Sequence, residues 1–472
     1  MVSDALNKYI FSAGLWTRRE NIERQVYKMS VKIIEREQGI IAYIPENMRF
    51  FEINERTKNI IQAWNFGISD DKIVEKFGIP AGDLNELKNR LGDLTEKNGE
   101  KSRTKKAGLS KLVLNISNAC NLRCRYCYAN GGSYQSDEGI MTVDTAKRAM
   151  DLFYDVYETI QMIQIFGGEP LMNLPLVRYI CEYITTNKKN TKIGIVTNGT
   201  LITDEFIQLV KKFNIMVTVS YDGVPVVNDL MRVTKNGKGT SEKILSNIKL
   251  LYEKTGQPST IEVTFNQQHV NHGVSVGDVI KFLRREVGAV PLHIVPAGGD
   301  KKCDFVLENR DEFVKSVDDV FYNTENMDMY TYSLVQRIVL SLYTKRGGTH
   351  LCEAGLSTYS VSINGDVYPC FMFTDDENMC IGNIFDDEMF EREKFKNMVH
   401  KLEQFSKSNI PECQSCFIRQ SCSGCLGINL LETGDVFSLG SETCEMYRQM
   451  TEQVIYNLYL MKKEGVQCEI AG

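Results

Sequence analysis

Short apolar runs alternate with longer amphipathic stretches through the middle of the chain. The short runs have the length of strands, and the longer stretches repeat their apolar residues with the period of a helix. The six strand-like runs are residues 112–117, 162–166, 193–197, 216–220, 261–265 and 292–295. The helical stretches between them are residues 143–159, 175–186, 204–213, 241–254 and 278–287. The pattern predicts an α/β fold with a parallel sheet, as either a partial barrel or a doubly wound open sheet.

The first hundred residues have a different pattern, which predicts a separate small domain at 1–100. A helix is expected at 17–29, followed by short strands at 31–35, 40–44 and 50–54. Three helices are expected at 55–63, 69–77 and 81–94, with Ser69 as an N-cap and Gly78 as a stop signal. This is the plan of a small winged-helix domain. A polar stretch then predicts a linker at 101–109, which places the barrel at 110–325 and a third domain at 326–472.

Charge and length limit the classes of function. The 472 residues include 55 lysines and arginines and 61 acidic residues, which gives a net charge of −6. A nucleic-acid partner needs a basic surface, and residues 1–100 hold 15 basic and 16 acidic side chains, so we expect no nucleic-acid binding. The sequence starts without a signal-peptide pattern, and no apolar run has the length of a membrane span. We therefore expect a cytoplasmic protein without a membrane partner.

The fourteen cysteines are concentrated at two places, and none of them precedes Cys120. In a cytoplasmic protein such clusters indicate metal ligands rather than disulfides. Cys120, Cys124 and Cys127 follow the first strand of the expected sheet in a C-x3-C-x2-C spacing. Three thiolates on one loop supply three of the four ligands of an iron–sulfur cube and leave one iron open. Structural zinc is the alternative, but it prefers four ligands, and no histidine or further cysteine lies within fifty residues.

The cysteine spacing, with Tyr126 just before the third cysteine, resembles the signature of radical S-adenosylmethionine (SAM) enzymes. After the second strand, the segment Phe166-Gly167-Gly168-Glu169-Pro170 resembles the part of that family that holds the amino group of SAM. The resemblance implies a partial (β/α)6 radical SAM barrel whose cluster binds SAM at its open iron. The SAM contacts that it implies are Tyr126, Gly167, Gly168, Glu169, Asn198, Ser220 and Arg232. For Asn198, ordinary turn chemistry is an equal alternative.

The cysteines of the last third form a second pattern, C-x12-G-x4-C followed by C-x2-C-x5-C-x2-C and a final cysteine. A tail of this kind needs metals to stabilise it, and zinc would also serve. The pattern resembles the cysteine-rich SPASM domain of radical SAM peptide maturases, although that family usually has three residues between the last two cysteines of the quartet. The resemblance implies two auxiliary 4Fe-4S clusters. Together with the SAM-binding cluster of the barrel, the expected cofactors are therefore SAM and three 4Fe-4S clusters. The nearer cluster would be held by Cys352, Cys370 and Cys425, and the farther by Cys413, Cys416, Cys422 and Cys444.

The ligand count has a consequence for the nearer auxiliary cluster. Seven cysteines fully ligate one cube and leave the other one ligand short. Either Cys380 or Cys303 completes the nearer cluster, or its site stays open for a thiolate of the substrate. We favour the open site.

The N-terminal domain resembles the peptide-recognition domain of enzymes that modify ribosomally made peptides. In that family the leader of a precursor peptide adds as an extra strand to the third strand of the domain, here residues 49–54. A domain that only stabilises the barrel is the alternative.

Together the resemblances imply a radical SAM enzyme that generates a 5'-deoxyadenosyl radical and takes hydrogen from a precursor peptide to form a thioether. Carbon–carbon crosslinking and sulfatase-type maturation are alternatives within the same scaffold. A cysteine-rich zinc protein that binds peptide or nucleic acid without catalysis is the alternative from another class. The expected partners are the precursor peptide and an electron donor such as flavodoxin or ferredoxin.

Overall fold

The computed structural model describes residues 31–93, 108–134, 136–187, 190–322 and 332–465. Within 31–93, strands β1 (Lys32–Arg36), β2 (Gly39–Ile44) and β3 (Arg49–Ile53) form an antiparallel sheet in the order β1-β2-β3. Helices α1 (Glu55–Asn65), α2 (Asp70–Phe77) and α3 (Ala81–Asp93) follow. The plan of three strands and three helices is confirmed. The helix expected at 17–29 and most of the linker at 101–109 lie outside the described residues.

Strand β2 is apolar along its whole length because both of its faces are covered. Ile41 and Tyr43 belong to the core shared with the barrel, whereas Ala42 and Ile44 pack with the helices of the N-terminal domain. A strand buried on both faces loses the usual alternation of apolar and polar residues. The N-terminal sheet is therefore packed between its own helices and the rest of the protein.

The larger sheet contains the six parallel strands that the sequence predicts. In the order of the sheet these are β4 (Lys111–Asn115), β5 (Met162–Phe166), β6 (Lys192–Thr197), β7 (Met216–Ser220), β8 (Thr260–Phe265) and β9 (Leu292–Pro296). The connecting helices are α4 (Val143–Val156), α5 (Leu174–Asn187), α6 (Asp204–Phe213), α7 (Pro225–Met231), α8 (Ser241–Thr255), α9 (Gln267–Asn271) and α10 (Val276–Val287). The sequence pattern did not predict the short helices α7 and α9. The fold is a partial α/β barrel.

The C-terminal part adds strands to the same sheet, which the sequence pattern did not predict. After α11 (Asp311–Tyr322) and α12 (Ser333–Thr344), strand β10 (Thr358–Val361) pairs in parallel with β4, and β11 (Asp366–Tyr368) and β12 (Gly382–Asn383) continue antiparallel beyond it. In the described residues the sheet therefore has nine strands. The remaining helices are α13 (Glu393–Gln404), α14 (Pro411–Gln414), α15 (Leu426–Thr433) and α16 (Ser441–Lys463).

Side chains alternate between the two faces of the barrel strands. On β8, Ile261, Val263 and Phe265 are fully buried in the main core, under the helices. The other face of β8 carries Thr260, Glu262 and Thr264, which are half-buried. The inner face of β8 is therefore polar and partly accessible.

Helix α16 holds the N-terminal domain against the C-terminal part. The Tyr459 hydroxyl donates a hydrogen bond of 2.6 Å to the Glu52 carboxylate on β3. Glu452 forms ion pairs with Lys32 and Arg36 of β1 at 2.9 and 3.0 Å. Searching the described residues for a helix long and apolar enough to span a bilayer finds none.

Candidate active site

The first cysteine cluster lies on the loop that leaves the carboxyl end of β4. Cys120 is buried, and Cys124 and Cys127 are half-buried. The N–H group of Leu122 donates to the Cys120 sulfur at 3.4 Å, and that of Gly131 donates to the Cys127 sulfur at 3.3 Å. Burial raises the pKa of Cys120 to about 12, and the neighbouring thiolates and Glu169 add to the shift. Three thiols that repel each other in their ionised form fit an iron–sulfur cube, because the metal stabilises the thiolates.

The Gly167-Gly168 segment lies directly against the cysteine loop. A Cβ on Gly168 would lie 2.5 Å from the carbonyl oxygen of Ala119 and 2.8 Å from the Cα of Gly132. The next N–H group, that of Glu169, donates to the same Ala119 carbonyl at 2.9 Å. The two loops are thus in backbone contact, which only glycine permits at position 168.

Glu169 is held rigidly in the interior at this loop contact. Its fully buried carboxylate accepts hydrogen bonds from the N–H groups of Leu171 and Asn198 at 3.0 and 2.7 Å and from the hydroxyl of Thr197 at 2.7 Å. Burial raises the pKa of Glu169, and these hydrogen bonds oppose the shift. A carboxylate in this setting fits the ammonium group of a ligand.

Asn198 connects the end of β6 to the cysteine loop. Its side-chain NH2 group donates to Asn121 Oδ1 at 2.9 Å and to the Cys120 sulfur at 3.7 Å. Its side-chain oxygen accepts from the N–H and hydroxyl groups of Thr200 at 3.0 and 2.7 Å. The structure therefore places Asn198 against the cysteine loop, in a turn that its own side chain stabilises.

Tyr126, Asp222 and Arg232 form a network on the far side of the cysteine loop. The Tyr126 hydroxyl donates to Asp222 Oδ2 at 2.6 Å and accepts from Arg232 Nη1 at 2.8 Å. Burial raises the pKa of Asp222, and the positive charge of Arg232 opposes the shift. The Nε of Arg232 is buried and has no hydrogen-bond partner among the described residues. That unsatisfied donor leaves the guanidinium able to bind a further anionic group.

Two further residues lie close to this network. Ser220, an expected SAM contact, is half-buried at the end of β7 and faces the barrel interior in register with Glu262. The His269 ring is buried, and its Nε2 lies 2.9 Å from the backbone oxygen of Asp222. Asp222 and Tyr126 are in contact although they are ninety-six residues apart in the chain, a relationship that local sequence patterns do not show.

The cysteines of the last third lie in two groups of neighbours. Burial raises the pKa of Cys370 to about 12, and the thiolates of Cys425 and Cys352 add to the shift. Burial likewise raises the pKa of Cys422 to about 12, and the charges that act on it include those of Cys444, Cys416 and Cys413. Each set is therefore a group of neighbours. The Nζ of Lys407 donates to the Cys422 carbonyl at 2.9 Å and places a cation beside the second set.

Cys380 packs against the same small core as Cys352 and Cys370. Its thiol donates to the carbonyl oxygen of Gly382, 3.6 Å away, and burial raises its pKa, whereas the charge of Lys394 opposes the shift. Cys303 lies half-buried in the turn after β9. Within the described residues no three His, Cys, Asp or Glu side chains converge as the ligands of a single ion do. The thiolates of an iron–sulfur cube bind separate iron atoms. Its cysteines therefore need to be neighbours, but they need not converge on one point.

Two models of protein families match the chain in these regions. The radical SAM superfamily model matches residues 114–282, and the SPASM iron–sulfur cluster-binding domain matches residues 352–417. The chain carries a radical SAM domain and a SPASM domain. The radical SAM match covers Cys120, Cys124 and Cys127. The SPASM match covers the cysteines from Cys352 to Cys416 and ends before Cys422, Cys425 and Cys444. The domains imply SAM and iron–sulfur clusters as cofactors.

Curated relatives cover different parts of the chain. The uncharacterized protein MJ0907 of Methanocaldococcus jannaschii is 38% identical over 30% of this chain. The matched part spans about half (49%) of that protein. The radical SAM cyclopropyl synthase TigE of Paramaledivibacter caminithermalis is 26% identical over 74% of each chain. A cysteine-type anaerobic sulfatase-maturating enzyme of Clostridium novyi is 25% identical over 67% of this chain and 87% of that protein.

Solved structures share the fold. The structure of anSMEcpe with bound AdoMet has a TM-score of 0.62 at 22% identity and covers 75% of this chain and 99% of that chain. Streptococcus suis SuiB bound to its precursor peptide SuiA has a TM-score of 0.51 at 14% identity, with 88% of this chain and 99% of that chain covered. The likeness to SuiB thus reaches beyond the radical SAM and SPASM domains into the N-terminal part.

Proposed function

We propose that this protein is a radical SAM enzyme that modifies a ribosomally made precursor peptide by joining a cysteine sulfur to a carbon of the same peptide. When bound and reduced, SAM and the cluster at Cys120, Cys124 and Cys127 supply a 5'-deoxyadenosyl radical. Glu169 and Arg232 would hold the amino and carboxylate ends of SAM, since one is a rigid buried carboxylate and the other has an unpartnered donor. Gly167 and Gly168 allow the ligand to approach the backbone.

The observation that carries the proposal is the set of three thiols at Cys352, Cys370 and Cys425. With the Cys380 thiol on the Gly382 carbonyl and Cys303 in the turn after β9, the three thiols would hold three corners of a cube and leave the fourth for a thiolate of the peptide. For each thioether, one hydrogen atom of the substrate carbon would leave in 5'-deoxyadenosine, the thiol proton would go to solvent, and an auxiliary cluster would accept the remaining electron. The peptide loses two hydrogens for each thioether.

The free edge of β3 supports binding of a leader peptide. In the described residues β3 pairs with β2 alone, so its other edge has no strand partner there and would accept an added strand. Phe50, Phe51 and Ile53 of β3 are half-buried and offer apolar contacts beside this edge. The barrel would then receive the rest of the peptide from a domain fixed to it by α16.

Carbon–carbon bond formation is the second candidate. It is favoured by the likeness to TigE, whose name describes a cyclopropyl synthase. Sulfatase-type maturation is a third, because sulfatase-maturating enzymes are among the relatives. Flavodoxin or ferredoxin would supply electrons in the cytoplasm.

The deciding experiment is anaerobic incubation with SAM, dithionite and a cysteine-containing precursor peptide, followed by mass spectrometry and thiol alkylation. Loss of two hydrogens together with loss of alkylatable thiol is expected. The same mass loss with every thiol still alkylatable would establish carbon–carbon crosslinking instead. The triple variant C120A/C124A/C127A should form no 5'-deoxyadenosine, and C380A should behave as the wild type does.

A further inference from the structure

The inner face of the barrel carries two opposite charges that the proposed cofactors do not use. Glu262 lies in the middle of β8, and its register partners on the neighbouring strands are Ser220 of β7 and His293 of β9. Register partners in a sheet share a face. Ser220, Glu262 and His293 therefore form a row that runs from the expected SAM site into the barrel.

Lys111 faces the same interior from β4. The opposite face of that strand carries Leu112 and Leu114, which are buried in the main core, so Lys111 and Val113 point inward. The charge of Lys111 acts on both Glu262 and Cys370. The Lys111 ammonium group therefore lies on the side of the barrel interior that faces the nearer auxiliary set. The charges of Arg232 and Asp222, on the side of the expected SAM site, also act on Glu262.

Among the residues that the structure describes, neither side chain has a hydrogen bond or an ion pair. The Glu262 carboxylate interacts with Lys111 and Arg232 only at longer range. Burial raises the pKa of Glu262 and lowers that of Lys111. Partly buried charges without partners destabilise a fold, so a pair of them on the inner face of the barrel is typical of groups that serve a ligand.

We infer that Glu262 and Lys111 position the reacting segment of the peptide, with the Glu262 carboxylate accepting a backbone N–H group and the Lys111 ammonium donating to a backbone carbonyl. An extended peptide offers donors and acceptors that alternate along its length, which matches an acceptor on the SAM side and a donor on the Cys370 side. The pair would fix the carbon between the site of hydrogen removal and the free corner of the auxiliary cluster. This inference rests on the proposed function. Within that function, Glu262 and Lys111 are the residues that bind the substrate backbone.

The test compares E262Q, E262D and K111M with E253Q, which alters an exposed carboxylate on α8. Loss of one hydrogen bond to a charged group is expected to raise the KM for the precursor peptide by about tenfold to a hundredfold in E262Q and K111M. Formation of 5'-deoxyadenosine without peptide should stay at the wild-type level. The yield of crosslinked peptide per 5'-deoxyadenosine should fall, and E262D should restore part of it.

Two further measurements distinguish peptide binding by Glu262 from a purely structural role. Fluorescence anisotropy of a labelled precursor peptide, with SAM and without reductant, should show the same loss of affinity. Thermal unfolding of E262Q should occur at or above the wild-type temperature, since an unpartnered charge is removed. Normal product from the wild type together with unchanged E262Q kinetics and binding would overturn the inference alone. No modified peptide from the wild type would overturn the proposed function on which it rests.

Discussion

The ring of Phe371 packs against the ring of Phe166, with their centroids 4.4 Å apart. Phe371 directly follows Cys370 of the nearer auxiliary set, and Phe166 directly precedes the Gly167-Gly168 segment that lies on the cysteine loop. This aromatic pair therefore joins the backbone that carries one cluster set to the backbone that carries the other. It also forms part of the inner surface between them.

Replacing Phe371 with alanine should loosen this connection. Truncation of a fully buried phenylalanine costs about 3–5 kcal/mol, and since both rings are half-buried we expect roughly 1–2 kcal/mol for F371A. The yield of crosslinked peptide per 5'-deoxyadenosine should drop, because the auxiliary set shifts relative to the SAM site. Chemical unfolding and product analysis measure the two effects. F385A, which removes a ring that is 56% exposed, should change neither quantity.

Substitution of Gly168 should abolish SAM cleavage. The added methyl group would overlap the Ala119 carbonyl, and backbone cannot move aside as a flexible side chain does. We expect G168A to displace the Gly167-Gly168 segment from the cysteine loop and to weaken SAM binding by at least about tenfold. The matched control is G82A, because nothing lies within 4 Å of a Cβ at Gly82 in helix α3. SAM affinity by equilibrium dialysis that is equal in both variants would contradict the expected contact between the loops.

The two kinds of cysteine in the SPASM domain should differ in iron content. C370A removes a member of the three-thiol set, so we expect it to lose about one cube of iron and sulfide. C380A should retain all of its iron, since that thiol contacts the Gly382 carbonyl outside the set. Iron and sulfide analysis with electron paramagnetic resonance of the reduced protein measures both. Loss of a cluster in C380A would instead identify Cys380 as the missing fourth ligand.

Asp229 holds the start of α8 against the loop that carries Arg232. Its carboxylate accepts from the N–H groups of Thr240 and Ser241 at 2.7 Å and from the Ser241 hydroxyl at 2.6 Å. The Thr240 hydroxyl in turn donates to the Arg232 carbonyl at 2.7 Å. Burial raises the pKa of Asp229, but the hydrogen bonds outweigh burial and hold the pKa below its ordinary value of 3.8.

The depressed pKa fixes the sign of the pH dependence. The stabilisation by the Asp229 carboxylate is fully present above pH 3.8 and is lost as the pH falls through the lower folded value. D229N should cost about 1–2 kcal/mol near neutral pH, and its deficit to the wild type should shrink below about pH 4. Urea unfolding across this range measures the difference. SAM affinity should also fall in D229N, and it should fall less in the capping variant D278N on α10, whose carboxylate contacts Ser275.

The sequence predicted the parallel strands and most helices because their apolar residues repeat with a local period. It did not predict that β10 joins the barrel sheet, since pairing between Thr358–Val361 and Lys111–Asn115 depends on contacts far apart in the chain. The same limit applies to the site. Cys120, Cys124 and Cys127 are visible as a spacing, whereas the network of Tyr126, Asp222 and Arg232 exists only in three dimensions.

The pairing of β10 with β4 also constrains how the protein can be made. Strand β4 supports the first cysteine loop, and one of its edges stays without a partner until the ribosome has synthesised residues 358–361. An exposed strand edge on a nascent chain is a site of wrong pairing and aggregation. The order of synthesis thus delays completion of the radical SAM site until most of the chain has emerged. A product truncated before β10 would carry all three cysteines of the first loop on a strand that can pair with other chains.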